Sequence, residues 1–158
     1  MKSQLFLLGC CLMLLFAACG PKVVYQEKQT FEAGSWAFQD STTFTVNVTD
    51  TLKTYDLLVE LDHGTDYAYH NCYLYVSTVL PTGQWLGKRI NVDMADKTGK
   101  WYGDCTSQKC KLVINLQSNA FFNQLGDHQF IIKQFMRDDP LAEVRAIGFK
   151  VIETGLSR

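Results

Sequence analysis

The chain has 158 residues, 47% hydrophobic and 13% aromatic, with 15 basic and 16 acidic side chains for a formal net charge of −1. That length supports one domain with a real core, and the scattered, near-balanced charge excludes the basic stripe that nucleic-acid binding needs. The six cysteines leave lipid, disulfide and metal chemistry open until their positions are read.

The chain opens MKSQLFLLGCCLMLLFAACG. Lys2 supplies a positive start, and Leu5 to Phe16 is apolar apart from Gly9, Cys10 and Cys11. A run of about a dozen residues is too short to cross a hydrocarbon core of about 30 Å as a helix. It fits the apolar region of a secretory signal, which is removed rather than folded. Phe16-Ala17-Ala18-Cys19 then resembles the lipobox of bacterial lipoproteins, in which the thiol is acylated and the chain is cut before it. Residues 1–18 are therefore expected to be removed and Cys19 to carry lipid. The first expected partner is the membrane, through that lipid. Gly20-Pro21-Lys22 carries no acidic sorting signal, so the expected location is the outer membrane, facing the periplasm.

Residues 19–35 are polar and lack periodicity, and are expected to be a tether. A single domain is expected over 36–158, starting near Trp36. From there the hydrophobic period is two. Phe44, Val46 and Val48 alternate with polar residues, as do Tyr55, Leu57, Val59 and Leu61, then Cys72, Leu74 and Val76. Ile90, Val92 and Met94 follow, then Leu112, Ile114 and Leu116, Phe130 and Ile132, and Ile147, Phe149 and Val151. About seven half-buried strands separated by Gly, Pro and Asp turns predict an all-β fold, an antiparallel β-sandwich. Two short helices are expected, one over 119–125 and one over 139–143, where Asp139-Pro140 has cap chemistry.

Cys10 and Cys11 leave with the signal, and Cys72, Cys105 and Cys110 remain in an oxidising compartment. Cys105 and Cys110 enclose only Thr-Ser-Gln-Lys and are expected to close a hairpin mouth as a disulfide. A bridge from Cys72 to one of them, or a metal site, are the alternatives; the metal site lacks a CxxC pair. Asp62, His63, Asp66 and His70 share one connection and carry ligand chemistry, but polar loops collect such residues for ordinary reasons. No nucleophile, phosphate-loop or dinucleotide motif is present, and no cofactor is expected. Tyr67, Tyr69, Tyr73, Tyr75, Trp85, Trp101 and Tyr102 crowd one stretch. Such residues fill sandwich cores or stack on ligands. Tyr67, Tyr69, Trp85 and Trp101 are the candidate interaction surface.

Three segments carry a family likeness. Tyr67-Ala68-Tyr69-His70-Asn71-Cys72-Tyr73-Leu74, Asp96-Lys97-Thr98-Gly99-Lys100-Trp101-Tyr102-Gly103 and Met136-Arg137-Asp138-Asp139-Pro140-Leu141 occur in that order, the last followed by Val144, Ile147, Gly148 and Phe149. The set resembles the GldH gliding-motility lipoproteins of Bacteroidetes, from about Trp36 to Val151. The resemblance implies a non-catalytic envelope lipoprotein linked to the gliding apparatus and the associated type IX secretion machinery. Its partners would be other envelope proteins. A glycan- or ligand-binding lipoprotein using the Tyr/Trp stretch is the alternative, and a metal-dependent hydrolase a more distant one.

Overall fold

The structure, a computed structural model, describes residues 21–158; the signal and Cys19 lie outside the described residues. In chain order the strands are β1 (Lys22–Thr30), β2 (Ser35–Trp36), β3 (Thr42–Val48), β4 (Lys53–Gly64), β5 (Asn71–Val79), β6 (Trp85–Asp93), β7 (Asp104–Cys105), β8 (Lys109–Phe121), β9 (Gly126–Gln134), β10 (Leu141–Ala142) and β11 (Val144–Ser157). They form a five-stranded sheet, β1-β11-β4-β8-β7, a four-stranded sheet, β3-β9-β5-β6, and a short β10-β2 ribbon. Every strand pairing is antiparallel. The fold is an all-β sandwich, and each strand expected from the period of two is present.

Alternation sends one face of each sheet inward. In β3 the pattern is strict, with Thr42, Phe44, Val46 and Val48 buried and the residues between them exposed. The sheets are joined by rings. Phe149 of β11 lies 4.5 Å from Phe130 of β9 and 5.7 Å from Phe44 of β3, centroid to centroid. Val59, Leu61, Leu74, Ile132, Ile147 and Val151 complete the fully buried centre.

Two features differ from the sequence expectation. Lys22–Thr30 is not a tether but β1, paired with β11 from Lys22↔Glu153 to Thr30↔Ala146. The domain therefore begins well before Trp36. This strand has almost no buried face, so it has no alternation to read; backbone pairing alone defines it, and Tyr25 is its one contribution to the core. Its Lys22, Glu27 and Lys28 are the charges that keep an edge strand from pairing further. The two expected short helices are also absent from their places. Residues 119–121 end β8, where Asn119 takes φ +50°, and Leu141–Ala142 is β10, between a cis Asp139–Pro140 bond and Glu143 at φ +64°. The 3-10 turn Glu32–Gly34 is the helical element among the described residues.

The registers define two ends. Lys22, Lys53, Phe121, the 49–52, 80–84 and 122–125 connections and the C-terminal residues share the near end. The far end carries the 65–70, 94–103, 106–108 and 135–140 connections.

Phe149→Ala should lower unfolding stability by about 3–5 kcal/mol, because a buried aromatic leaves both a transfer loss and a cavity. Urea unfolding of the domain lacking signal and lipid measures this. A midpoint within error of wild type would show that Phe149 does not join the sheets.

Candidate functional site

The three motif segments all map to the far end. The Asp96–Gly99 turn is closed by the Asp96 carboxylate, whose Oδ1 accepts from the Thr98 amide at 2.8 Å, the Thr98 hydroxyl at 2.7 Å and the Lys100 amide at 3.0 Å. These bonds, that from the Thr98 hydroxyl foremost, hold the carboxyl below its ordinary titration range. Gly99 and Gly103 both take positive φ, and a Cβ at Gly103 would stand 2.3 Å from the Lys111 carbonyl oxygen. Between them Trp101 bridges to Ala95 and lays its ring on the core.

Under Trp101 lies His63. The imidazole is fully buried, 4.9 Å from the Trp101 ring edge-on and 5.8 Å from the Tyr67 ring. Nδ1 is 2.8 Å from the Gly64 carbonyl, which requires the proton on Nδ1. Nε2 then offers a lone pair, and no partner meets it among the described residues. Burial pushes the titration of His63 down; the Gly64 carbonyl and Asp62 oppose this, and Arg145 reinforces it. The Tyr67 hydroxyl donates to the Asn71 carbonyl at 3.0 Å.

Outside this cluster, the four-stranded sheet presents an aromatic outer face. Arg89 of β6 holds its guanidinium 5.7 Å from the Tyr73 ring and 5.6 Å from the Phe135 ring. Tyr75 stacks on Trp85 at 5.9 Å and tilts against Phe135 at 6.0 Å. Gly87 sits beneath the Tyr75–Trp85 pair, where a Cβ would come within 2.7 Å of the indole. A groove of about 690 Å³ runs between Tyr69, Tyr73, Arg89, Phe135 and Met136–Asp138. The Tyr69 hydroxyl donates to Asp138 at 2.5 Å, tying the first motif segment to the third. Behind them the buried Gln134 donates to the Asp138 carbonyl and accepts from the Met136 amide, fixing that loop.

The four aromatics expected to form one surface are therefore divided. Tyr67 is only 4% exposed and belongs to the core, with Trp101 half-buried beside it. Tyr69 lines the groove, and Trp85, 53% exposed, stands farther along the same sheet. Sequence reading missed Arg89 and Phe135, which complete the face. Neither carried a signal that sequence alone could read, because the pairing of Arg89 with Tyr75 across the ladder comes from the strand register. His63 is buried rather than part of a polar loop, because β4 continues through Gly64. Among the described residues no group of three or more His, Cys, Asp and Glu side chains could hold a metal. Cys105 and Cys110 face each other in the β7–β8 ladder and are joined as a disulfide, while Cys72 is a buried free thiol.

A family model described as GldH lipoprotein matches residues 23–151. The chain belongs to the GldH lipoprotein family. The GldH match begins inside β1, so the strand mistaken for a tether is part of the family's domain. A gliding motility lipoprotein GldH homolog of Christiangramia forsetii is 26% identical over 88% of this chain and 89% of its own length. The gliding motility lipoprotein GldH of Flavobacterium johnsoniae is 23% identical over 87% of this chain and 89% of its own. Among solved structures, an arabinose-bound α-L-arabinofuranosidase is similar over 87% of this chain, with TM-score 0.36 and 10% identity. This chain spans about a quarter (24%) of that enzyme, and a likeness so slight bears on neither fold nor activity.

The buried imidazole makes stability pH-dependent. An unfolded histidine takes up a proton near pH 6.5, whereas burial keeps His63 neutral to lower pH. Between those values the unfolded chain binds more protons, so this contribution is full above about pH 6.5 and shrinks as pH falls. Urea midpoints measured from about pH 7.5 down to about pH 5 should decline, and His63→Phe should flatten the slope. Equal slopes for the two proteins would mean that His63 protonates freely in the fold.

Proposed function

We propose that this protein is a non-catalytic, lipid-anchored subunit of the cell envelope that holds a partner of the gliding apparatus on its aromatic face. The lipid sits on Cys19, in the outer membrane, with the domain in the periplasm. Family membership supports the envelope assignment, and the names of the relatives from Christiangramia forsetii and Flavobacterium johnsoniae support the link to gliding.

One observation carries the binding role. Arg89 is clasped by Tyr73 and Phe135 at the surface, with no carboxylate bridged to it among the described residues. Arginine and aromatic side chains are the groups most enriched where protein interfaces concentrate their binding energy. The cation held over two rings is pre-oriented, and an acidic or carbonyl-rich segment would complete it.

The test uses the full lipoprotein in its own envelope. Fatty-acid-analogue labelling should mark the wild-type chain and not Cys19→Ser, whose hydroxyl replaces the acyl-accepting thiol. Crosslinking and affinity capture from membranes should then retain a co-purifying envelope protein. Arg89→Glu should reduce that recovery at least about tenfold, the order expected for an interface hot spot. Label persisting on the serine variant would overturn the anchor. Unchanged capture by Arg89→Glu, with an unchanged melting temperature, would remove the face from the interaction.

A further inference from the structure

The near end of the sandwich has a feature that, Trp85 excepted, the aromatic face around Arg89 does not include. Six large apolar side chains in the described chain are at least half exposed: Leu52, Leu86, Trp85, Phe121, Leu125 and Leu156. All six stand at the near end. Leu52 and Leu125 tip the 49–52 and 122–125 connections. Leu156 ends β11, and the Arg158 amide bonds the Leu52 carbonyl at 2.8 Å, holding the C-terminus beside the first of these tips. Phe121 ends β8, and Trp85 and Leu86 begin β6. Leu52, Leu125 and Leu156 are 67%, 60% and 59% exposed, the three highest values among the large apolar residues. A soluble domain does not gather its most exposed leucines at one pole without something to cover them.

The chain itself says what lies there. β1 starts at Lys22, and only Gly20 and Pro21 separate it from Cys19. Three residues fully extended reach about 10 Å. Each headgroup layer of a bilayer is about 5–8 Å deep. A lipid on Cys19 leaves no slack, because the residues that could have been a tether are hydrogen-bonded into the sheet. We infer that the near end is seated on the bilayer, with Leu52, Leu125 and Leu156 entering the boundary between headgroups and acyl chains. This rests on the lipid-anchor reading above and adds an orientation to it.

Charge is not the driver. Lys22 and Lys53 share Glu153, and Asp50 and Asp127 stand at the same end. Arg158 lays its guanidinium over the Phe121 ring at 4.4 Å, a cation–π contact that occupies the head of the side chain. The contact is therefore apolar, and a zwitterionic surface suffices.

The mature lipoprotein is suited to a labelling test. Cys105 and Cys110 are bonded to each other. Cys72 is buried, and burial pushes its thiol up to about 11, so an introduced surface cysteine is the reactive one. Leu125→Cys, Leu156→Cys and, at the far end, Phe38→Cys are each labelled with an environment-sensitive fluorophore. The acylated proteins are reconstituted into phosphatidylcholine vesicles carrying a lipid-borne quencher. The labels at 125 and 156 should shift to the blue and be quenched several-fold more than the label at 38, with little change between low and high salt. A label at 125 as exposed to water as that at 38, on protein whose mass includes the acyl chains, overturns the seating and leaves the anchor intact. Native chain without acyl mass overturns both.

Discussion

The stacked rings of Phe149, Phe130 and Phe44 are the interaction on which the sandwich depends. Phe149 lies in β11, which holds β1 on one side and β4 on the other, so this strand organises the five-stranded sheet. Its partners Phe44 and Phe130 face each other across the β3–β9 ladder. One contact thus fixes how far apart the sheets sit and which residues of each look inward. Rings at centroid distances of 4.5 and 5.7 Å contribute their buried area plus a geometric preference for offset stacking. The rest of the core, aliphatic residues together with Trp36, Tyr55, Tyr67 and Phe122, packs around these rings.

Seven strands were legible because their apolar residues recur with a period of two, which burial of an inward face writes into the sequence. β3 shows this most plainly. β1 was illegible for the converse reason. Its side chains are nearly all exposed, its stability comes from main-chain bonds to β11, and main-chain bonds leave no mark on residue choice. The expected helix at Asp139-Pro140 failed on backbone geometry: the cap chemistry is real, but the Asp139 carboxylate accepts from the Phe38 amide, tying together two distant segments instead of starting a turn. The aromatic site was half legible. Tyr69 and Trp85 could be picked by type, whereas the role of Arg89 depends on its neighbours Tyr73 on β5 and Phe135 just past β9, and only register supplies that.

Polarity is divided between the sheets. The four lysine–carboxylate pairs, Lys22–Glu153, Lys28–Asp62, Lys53–Glu153 and Lys111–Glu60, decorate the five-stranded sheet. On the four-stranded sheet the carboxylates meet neutral donors: Asp127 accepts from Asn47, and Asp93 from Asn91. The cations of that sheet, Lys88, Arg89 and Lys133, carry no ion pair among the described residues. Exposed ion pairs contribute little to stability, so the division bears on recognition more than on folding. The ion pairs among the described residues thus concentrate on one sheet and leave the cations of the other unpaired.

The pairing of β1 with β11 has a mechanical consequence. The chain leaves the sheet at Lys22, at the near end, while the motif segments sit at the far end. A pull applied between a lipid on Cys19 and a partner on the far surface runs parallel to β1. It loads all eight register pairs of the β1–β11 ladder together, in shear, rather than opening them one after another. An edge strand with almost no core contacts is a weak element against heat, yet in this direction it is a strong strap.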